Sequence, residues 1–351
     1  MQELEADYSL SFSELNVKVP KKNFSHSLHI LFNVLMNPSF EEKEFLRTKE
    51  QMIAAIESLE SNQDSLNKEK IVSLMNPYDI KHPLYSFSTK ESLTLIKNSN
   101  IENLKTCYNV FKGVVNSYAS VVGDISKEEI ESSLKPYLNW ESSHNWERIN
   151  DSLIKDYDVI LKENNGKSVF VLNDFKKPNS LNLKVAFFPM DINDPDYFKL
   201  KIAMHVFGEG SNSRLFKELR EANGLSYTAQ SNFQANYFSK KASIKTYVIS
   251  SVDNADKANK LINEAWEKFI KNGITEDELK SAKEHYKNSR ILSLSEDPQL
   301  LEVNNFLKKN EKDVDWLIQH DKEMASTNVA EINAAIKKYL ESIKFITVYN
   351  K

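Results

Sequence analysis

Two distant stretches of the sequence share one pattern of apolar and charged residues, and this internal repeat restricts the fold more than any other feature. Aligning Leu28 with Ile262 brings two amphipathic helical stripes into register, together with charges beyond the point where each helix stops. The matched pairs are Leu28 with Ile262, Leu31 with Ala265, Phe32 with Trp266, Leu35 with Phe269, Met36 with Ile270, Phe40 with Ile274, Phe45 with Leu279, Glu42 with Glu276, Glu44 with Glu278 and Lys49 with Lys283. A chance overlap of two helices could reproduce the stripe, but less easily the stop and the charges. We therefore predict two copies of one unit.

The length of the chain agrees with this prediction, since 351 residues exceed the usual domain size of about 100 to 200 residues. The polar, turn-rich stretch 146–166 is predicted to be a linker between a first repeat at 1–145 and a second repeat at 167–351. In the alignment above, Met1 corresponds to about Phe233, although the second repeat begins near Lys167. The first repeat is therefore expected to lack an opening segment of roughly 65 to 70 residues.

Hydrophobic periodicity predicts an α+β fold. In the second repeat, strands are predicted for SVFVLND, LNLKVAFFPM, SYTAQSNFQA, KKASIKTYVIS and FITVY, with the first two as a pair. DPDYFKLKIAMHVFG is predicted to be a helix, and further helices fill most of 253–340. In the first repeat, VNSYASVVGD is predicted to be a strand. Cys107 lies in a helical pattern and is interpreted as a small buried hydrophobe rather than a nucleophile.

Charge and composition exclude several classes of function. A formal net charge of -4 does not favour nucleic acid as a partner. No apolar stretch approaches the roughly 20 residues that cross a bilayer, and the N-terminal sequence MQELEADYSL is acidic rather than signal-like. The chain is predicted to be soluble and without a signal, which leaves the bacterial periplasm and the cytoplasm both open. A single cysteine excludes an internal disulfide and any CxxC site.

Three of the seven glycines lie in one segment, GEGSNSRLFKELREANGLSY, at 208–227. Gly208, Gly210, Ser211 and Asn212 link two predicted helices, where backbone N–H groups could bind a carboxylate or carbonyl group of a peptide substrate. A helix C-cap followed by an N-cap serine is an equally open interpretation. A nucleotide-binding loop is excluded, because the GxxxxGK[ST] pattern is absent.

NPSFEEKEFLRTKEQ, VVGD at 121–124 and SRL..LRE..GLSY at 213–227 occur in this order along the chain. With these motifs the sequence resembles the pitrilysin-like M16 zinc peptidases, specifically the C-terminal, non-zinc half of a two-part member. The resemblance implies two M16-type units, each a mostly antiparallel sheet covered by helices, the first lacking its opening strands and helix. It also implies a partner, a zinc-bearing M16 half in the same gene product or in a separate subunit. The two halves would enclose a peptide substrate.

The zinc motif of that family, HxxEH on a helix, is absent from this sequence. His26 and His29 enclose no carboxylate. His205 lies in the helix where an active unit would have the motif, but it has no second histidine and no catalytic glutamate there. By hydrophobic register, Ile56 rather than Glu57 occupies the place of the distant carboxylate ligand. We therefore predict no cofactor in this chain and expect zinc in the partner half.

The resemblance implies an auxiliary catalytic role for Arg220 and Tyr227, contributed to the zinc site of the partner. In the family, an arginine and a tyrosine seven residues apart reach the substrate there. Amide hydrolysis builds negative charge on the carbonyl oxygen, which a cation and a phenolic donor stabilise. The alternative is that Arg220 pairs with Glu218 or Glu221 and that Tyr227 only opens a strand.

Peptide is expected to add as a strand to an open sheet edge, and the LNLKVAFF and SYTAQSNFQA strands are the candidates. Two functions remain. The first is the non-zinc half of an M16-type metallopeptidase, inactive alone, which helps to enclose peptides and completes the active site of a zinc-bearing half. The second is a non-catalytic peptide-binding or assembly module with the same fold.

Overall fold

The structure is a computed structural model that describes residues 5–11, 14–60, 62–114, 117–141, 149, 151–173 and 178–351. Its helices are α1 (Phe24–Met36), α2 (Glu42–Leu59), α3 (Gln63–Met75), α4 (Thr89–Asn98), α5 (Ile101–Phe111), α6 (Lys127–Leu134), α7 (Tyr157–Glu163), α8 (Tyr197–Gly208), α9 (Arg214–Phe216), α10 (Ala255–Asn272), α11 (Glu276–Ser293), α12 (Asp297–Lys309), α13 (Val314–Ser326) and α14 (Val329–Leu340). Its strands are β1 (Asp7–Leu10), β2 (Leu15–Lys18), β3 (Val169–Leu172), β4 (Asn179–Phe188), β5 (Ser226–Gln234), β6 (Ala242–Ser251) and β7 (Ile346–Asn350).

The chain folds into two compact units, each assembled from separate stretches. Unit 1 contains the described residues of Met1–Met52, Leu95–Arg148 and Leu292–Lys309. Unit 2 contains those of Ile53–Thr94, Ile149–Ile291 and Asn310–Lys351. These units are compact bodies rather than sequence repeats, so the division into 1–145, 146–166 and 167–351 stays a prediction.

Unit 2 is built on a five-stranded sheet in the order β3-β7-β4-β6-β5. β4 pairs antiparallel with β6 and β7, and β5 pairs antiparallel with β6. β3 is parallel to β7. The predicted α+β class is confirmed.

Helices cover both faces of this sheet. On one face, α8 packs against β5 and α10 packs against β4 and β6, while α14 packs on α8 and α10. The ring centroids of Phe207 and Trp266 lie 4.0 Å apart in this core. On the other face, Ile71 and Leu74 of α3 and Ile160 of α7 pack against β4 and β7. Burying each such side chain stabilises the fold by about 1.5–3 kcal/mol. Helices packed on both faces therefore hold the sheet, including its outer strands, in place.

Unit 1 is mostly helical and contains the hairpin β1–β2. Its buried apolar residues on α1 are Leu28, Leu31 and Phe32. The Phe32 ring stacks on Tyr137 with centroids 4.0 Å apart. This is a small core, because most of the apolar stripe residues of α2 and α5 are not buried.

One lysine contact recurs in both units. Lys49 on α2 and Lys283 on α11 each donate hydrogen bonds to two backbone carbonyl oxygens at the end of a later helix. The acceptors are Lys97 and Ser99 for Lys49, at 2.8 and 2.7 Å, and Ala325 and Thr327 for Lys283, at 2.8 and 2.6 Å. Lys49 and Lys283 are matched by the sequence alignment, so this shared contact supports the predicted duplication.

Three local predictions are wrong. The first two strands of the second repeat are not paired, because β7, the last strand of the chain, lies between β3 and β4. Residues 117–124 form no strand with any described residue, and Val115 and Asn116 of the predicted strand lie outside the described residues. Cys107 is exposed, and no residue of α5 is buried.

Candidate functional site

The segment 208–227 begins where α8 packs against β5. A Cβ atom added to Gly208 would lie 2.3 Å from the Cβ of Ser231 on β5 and 2.6 Å from its backbone nitrogen. Only glycine permits this close approach of helix and strand. Gly208 is buried, so the structure gives it a packing role, and its predicted contact with substrate stays a prediction.

The link from Gly208 to Ser213 is organised by local hydrogen bonds. Ser213 is the N-cap of α9: its Oγ accepts from the backbone N–H of Phe216 and donates to the carbonyl of Gly210 at 2.8 Å. Gly210 has a φ of +80°, which favours glycine, and open space around it. Gly210, Ser211 and Asn212 are exposed. Ser213 therefore forms the N-cap that the second interpretation expects, and these three residues remain accessible for the binding role predicted for them.

The SRL part of the motif fixes this segment to α11. Arg214 donates from Nε and Nη2 to the two carboxylate oxygens of Glu278, both at 2.6 Å, and Leu215 is fully buried. Burial alone would raise the pKa of Glu278, but the hydrogen bonds from Arg214 and from the backbone N–H of Thr275 hold that pKa below its ordinary value. A bidentate arginine–carboxylate pair orients both partners. Arg214 is thus structural, which leaves Arg220 as the accessible arginine of the motif.

The backbone from Lys217 to Ala222 is π-helical. The wider turn is closed by a hydrogen bond from Leu225 N–H to the carbonyl of Leu219, at 2.8 Å, and by Gly224 with a φ of +62°. Single π-helical turns are rare in proteins, but those that occur are often found at functional sites. Leu219 is fully buried, so this turn exposes Arg220 on its outer side.

Arg220 lies beside the start of β5. Its Nη1 donates to the backbone carbonyl of Tyr227 at 3.1 Å, and its guanidinium group lies 5.3 Å from the centroid of the Phe216 ring. Within the described residues it forms no ion pair, and Glu218 instead lies 3.9 Å from Lys268. The ion pair of the alternative interpretation is therefore not formed. Most guanidinium N–H donors of Arg220 remain available to a ligand.

Tyr227 occupies a β-bulge. The pairing of β5 with β6 is regular from Thr228 onward and shifts between Ser226 and Thr228. The bulge turns the Tyr227 side chain outward, where it is 73% exposed. Arg220 and Tyr227, predicted as a pair from the sequence, thus meet at the first residues of β5.

β5 is an edge strand of the sheet, and among the described residues it pairs only with β6. The prediction of SYTAQSNFQA as an edge is confirmed, and that of LNLKVAFF is wrong, because β4 lies inside the sheet between β7 and β6. The side chains of Gln230, Asn232 and Gln234 on β5 are exposed and uncharged. An edge of this kind presents backbone N–H and C=O groups to a further strand.

The described histidines do not form a metal site. His205 Nδ1 lies 3.1 Å from Glu209 Oε2, and its ring stacks on His285 with centroids 4.5 Å apart. His29 Nδ1 lies 3.2 Å from the hydroxyl of Tyr137. No group of three or more His, Cys, Asp or Glu side chains within the described part of the chain could hold a metal ion. These described residues do not fit a catalytic zinc, which needs about three protein ligands.

Sequence reasoning missed two features of this site, the π-helical turn and the bulge at Tyr227. Asn223-Gly224 indicates a turn before β5, but neither the extra residue in the turn nor that in the strand leaves a pattern in the sequence. Both depend on the buried contacts of Leu219 and on the register of β5 with β6.

A family model described as the Peptidase M16 inactive domain matches residues 98–286. The chain belongs to the M16 peptidase family, as its inactive domain. The predicted membership in the family is thereby confirmed.

Two relatives extend this similarity. An uncharacterized zinc protease of Bacillus subtilis, YmxG, is 22% identical over 325 residues, which cover 92% of this chain and 74% of the relative. A protein of Helicobacter pylori described as a non-peptidase homolog, YmxG, is 26% identical over 297 residues, covering 82% of this chain and 63% of the relative.

Solved structures show the same fold. A peptidase M16 inactive domain from Pseudomonas fluorescens superposes with a TM-score of 0.81 at 20% identity, covering 99% of this chain and 82% of that one. The periplasmic protease PqqL of Escherichia coli superposes with a TM-score of 0.73 at 14% identity, covering 99% of this chain and 38% of that one. In the described part of the chain, no helix combines the length and apolar character that crossing a membrane requires.

Proposed function

We propose that this chain binds extended peptides along the open edge of β5. The observation that supports this is the position of Arg220 and Tyr227, side by side at the start of an edge strand. Main-chain hydrogen bonds to an edge give affinity with little demand on sequence. The uncharged side chains of Gln230, Asn232 and Gln234 place no charge beside the added strand. The ligand is therefore a peptide chosen by its extended backbone rather than by its charge.

Arg220 and Tyr227 then act on the peptide bond at the start of that edge. The hydroxyl of Tyr227 is a hydrogen-bond donor on an exposed ring. The guanidinium of Arg220 is oriented by its hydrogen bond to the backbone carbonyl of Tyr227 and by its contact with the Phe216 ring. Both would stabilise negative charge on a carbonyl oxygen. Gly210, Ser211 and Asn212 lie on the exposed link before α9, and we propose them, with Gly208 at its base, as further contacts of the peptide.

The metal for hydrolysis comes from a zinc-bearing M16 half in this proposal, because this chain contains no suitable ligand set among its described residues. That half is either joined to this chain or a separate subunit. The PqqL chain, of which this chain covers 38%, has the length that such an addition needs.

Reconstitution with a zinc-bearing M16 half from the same genome tests the proposal. Hydrolysis of a quenched fluorescent peptide should require both chains. Loss of one donor to developing oxyanion charge typically lowers kcat by about 10²–10³-fold, so Arg220→Ala and Tyr227→Phe should each cause a loss of this order. Lys217→Ala is the matched control, since Lys217 is exposed on the same π-helical turn. Equal activity of the Arg220 and Tyr227 variants and the wild type would refute the catalytic role.

The second candidate function is a non-catalytic peptide-binding or assembly module. The description of the Helicobacter pylori relative as a non-peptidase homolog favours it. In that case peptide should slow amide exchange along β5 in the isolated chain. Arg220→Ala should weaken peptide binding, and neither the wild type nor the variant should hydrolyse the peptide.

A further inference from the structure

The β-bulge at Tyr227 is bridged by the side chain of Ser226. Ser226 is 6% exposed, and its Oγ lies 2.5 Å from the carbonyl oxygen of Thr228 and 2.8 Å from that of Ile249 on β6. Thr228 and Ile249 are the first regular pair beyond the bulge, whereas Ser226 pairs with Ser250. Both oxygens are acceptors, so the single proton of the Ser226 hydroxyl is shared between them. One buried donor therefore links β5 on both sides of Tyr227 to β6.

The π-helical turn that contains Arg220 ends at Asn223, where a side chain replaces a backbone donor. In a π-helix each N–H donates to the carbonyl five residues earlier, which for Asn223 is that of Glu218. The N–H of Asn223 donates to the carbonyl of Arg220 instead. The side-chain Nδ2 of Asn223 donates to the carbonyl of Glu218 at 2.9 Å. This side chain therefore supplies the donor that the Glu218 carbonyl loses where the turn ends.

The turn and the bulge are joined by the contact between Arg220 and Tyr227. Asn223 ends the turn on which Arg220 lies, and Ser226 bridges the bulge on which Tyr227 lies. The hydrogen bond from Arg220 Nη1 to the Tyr227 carbonyl, at 3.1 Å, connects the two. Ser226 is buried and Asn223 is half-buried, whereas Arg220 and Tyr227 are exposed. The inner residues can therefore affect a bound peptide only through the exposed pair.

We propose that Ser226 and Asn223 are positioning residues of the candidate site. Ser226 sets the direction of the Tyr227 side chain, and Asn223 sets that of Arg220. This inference rests on the proposed function, because it assigns no separate activity. Donors to a developing oxyanion act by being held in place before the reaction, and a displacement of about 1 Å can lower a rate roughly hundredfold. Loss of either inner hydrogen bond should thus lower kcat more than it changes KM.

The first experiment replaces Ser226 in the reconstituted pair of chains. Ser226→Ala should lower kcat roughly ten- to a hundredfold and change KM by less than about twofold, because the edge from Thr228 to Gln234 keeps its pairing. Ser226→Thr keeps a hydroxyl and should restore most of the activity. Ser250→Ala is the matched control. Ser250 is a buried serine opposite Ser226, but its Oγ donates to the carbonyl of Ser251 rather than across the bulge.

The second experiment replaces Asn223. Asn223→Ala removes the donor to the Glu218 carbonyl and should lower kcat roughly tenfold or more. Asn164→Ala is the matched control, because Asn164 ends α7 with the same kind of bond, from Nδ2 to the carbonyl of Ile160 at 2.8 Å. The control should keep the wild-type kcat, since α7 packs on the face of the sheet opposite α8.

Double variants separate positioning from general destabilisation. Ser226→Ala should lower kcat by less than about twofold in a Tyr227→Phe background, because the hydroxyl that Ser226 positions is already absent. Asn223→Ala should have an equally small effect in an Arg220→Ala background, for the same reason. Full losses in these backgrounds would show that the inner residues act on the whole fold, and would overturn the proposal.

Hydrogen exchange in the isolated chain tests the two hydrogen bonds without hydrolysis. Exchange should rise at least about tenfold at 227–229 in Ser226→Ala and at 223–225 in Asn223→Ala. Unchanged exchange in both variants would overturn the proposal whatever the activity. Losses of kcat in Arg220→Ala and Tyr227→Phe, but not in the two inner variants, would overturn this inference alone. No loss in any of the four variants would refute the proposed catalytic role itself.

Discussion

Helix α5 of unit 1 and helix α14 of unit 2 begin with the same kind of cap and have matching apolar positions, yet their surroundings differ. Ile332, Ala335 and Ile336 of α14 lie in the core that this helix shares with α8 and α10, and they are almost fully buried. The matching residues of α5 are Leu104, Cys107 and Tyr108, and the first two of these are exposed. An amphipathic stripe therefore specifies a helix and its inner side, but the opposing layer decides how much free energy that side contributes.

The largest expected difference between the units comes from shortening one matched apolar residue in each. Ile332→Ala should lower the free energy of unfolding by about 2–5 kcal/mol, because it leaves a cavity in a filled core. Leu104→Ala should change it by less than about 0.5 kcal/mol, as is usual for exposed sites. Urea unfolding of both variants, monitored by hydrogen exchange, measures these two changes in the free energy of unfolding. Similar losses would show that α5 is covered in solution and that the contrast between units fails.

A pH effect from a buried histidine is expected in unit 2, because His320 lies in the interior of that unit. His320 is 3% exposed beside Phe198 and Trp316, and neither ring nitrogen has a hydrogen-bond partner among the described residues. Burial, with Lys201 and Arg290 nearby, lowers the pKa of His320 from 6.5 to about 3. The unfolded state then binds a proton that the folded state does not, between pH 6.5 and about 3.

Stability should therefore fall as pH drops below 6.5, by up to about 1.4 kcal/mol per pH unit from this residue. His320→Phe should flatten that dependence, since phenylalanine has no titrating group and suits the aromatic pocket. Urea midpoints between pH 7.5 and 5 provide the comparison. His29→Phe in unit 1 is the matched control for the loss of a histidine. An unchanged slope in His320→Phe would assign the pH dependence to other groups.

Much of unit 2 could be predicted from the sequence because its signals are local. The positions of α8, β5 and β6 follow from periodicity, and the spacing of Arg220 and Tyr227 lies in one short segment. Pairings between distant strands could not be predicted in this way. β3 and β4 have neighbouring patterns, but β7 enters between them from the end of the chain. The burial expected for Cys107 failed for the same reason, since periodicity shows which side of a helix is apolar but not whether a sheet lies opposite it.

The smallest expected difference between the units concerns the lysine contact that they share. Lys49→Met and Lys283→Met each remove two charge-assisted hydrogen bonds to backbone carbonyls but keep most of the apolar length of the side chain. Each should cost about 1–3 kcal/mol, because hydrogen bonds to charged groups contribute that much and the carbonyls lose a donor. Exchange should increase at 97–101 in Lys49→Met and at 325–329 in Lys283→Met. If the contact has the same role in both units, the two losses in free energy of unfolding should agree within about 0.5 kcal/mol. A loss of stability in only one unit would mean that the same lysine contact contributes a different free energy in the two units.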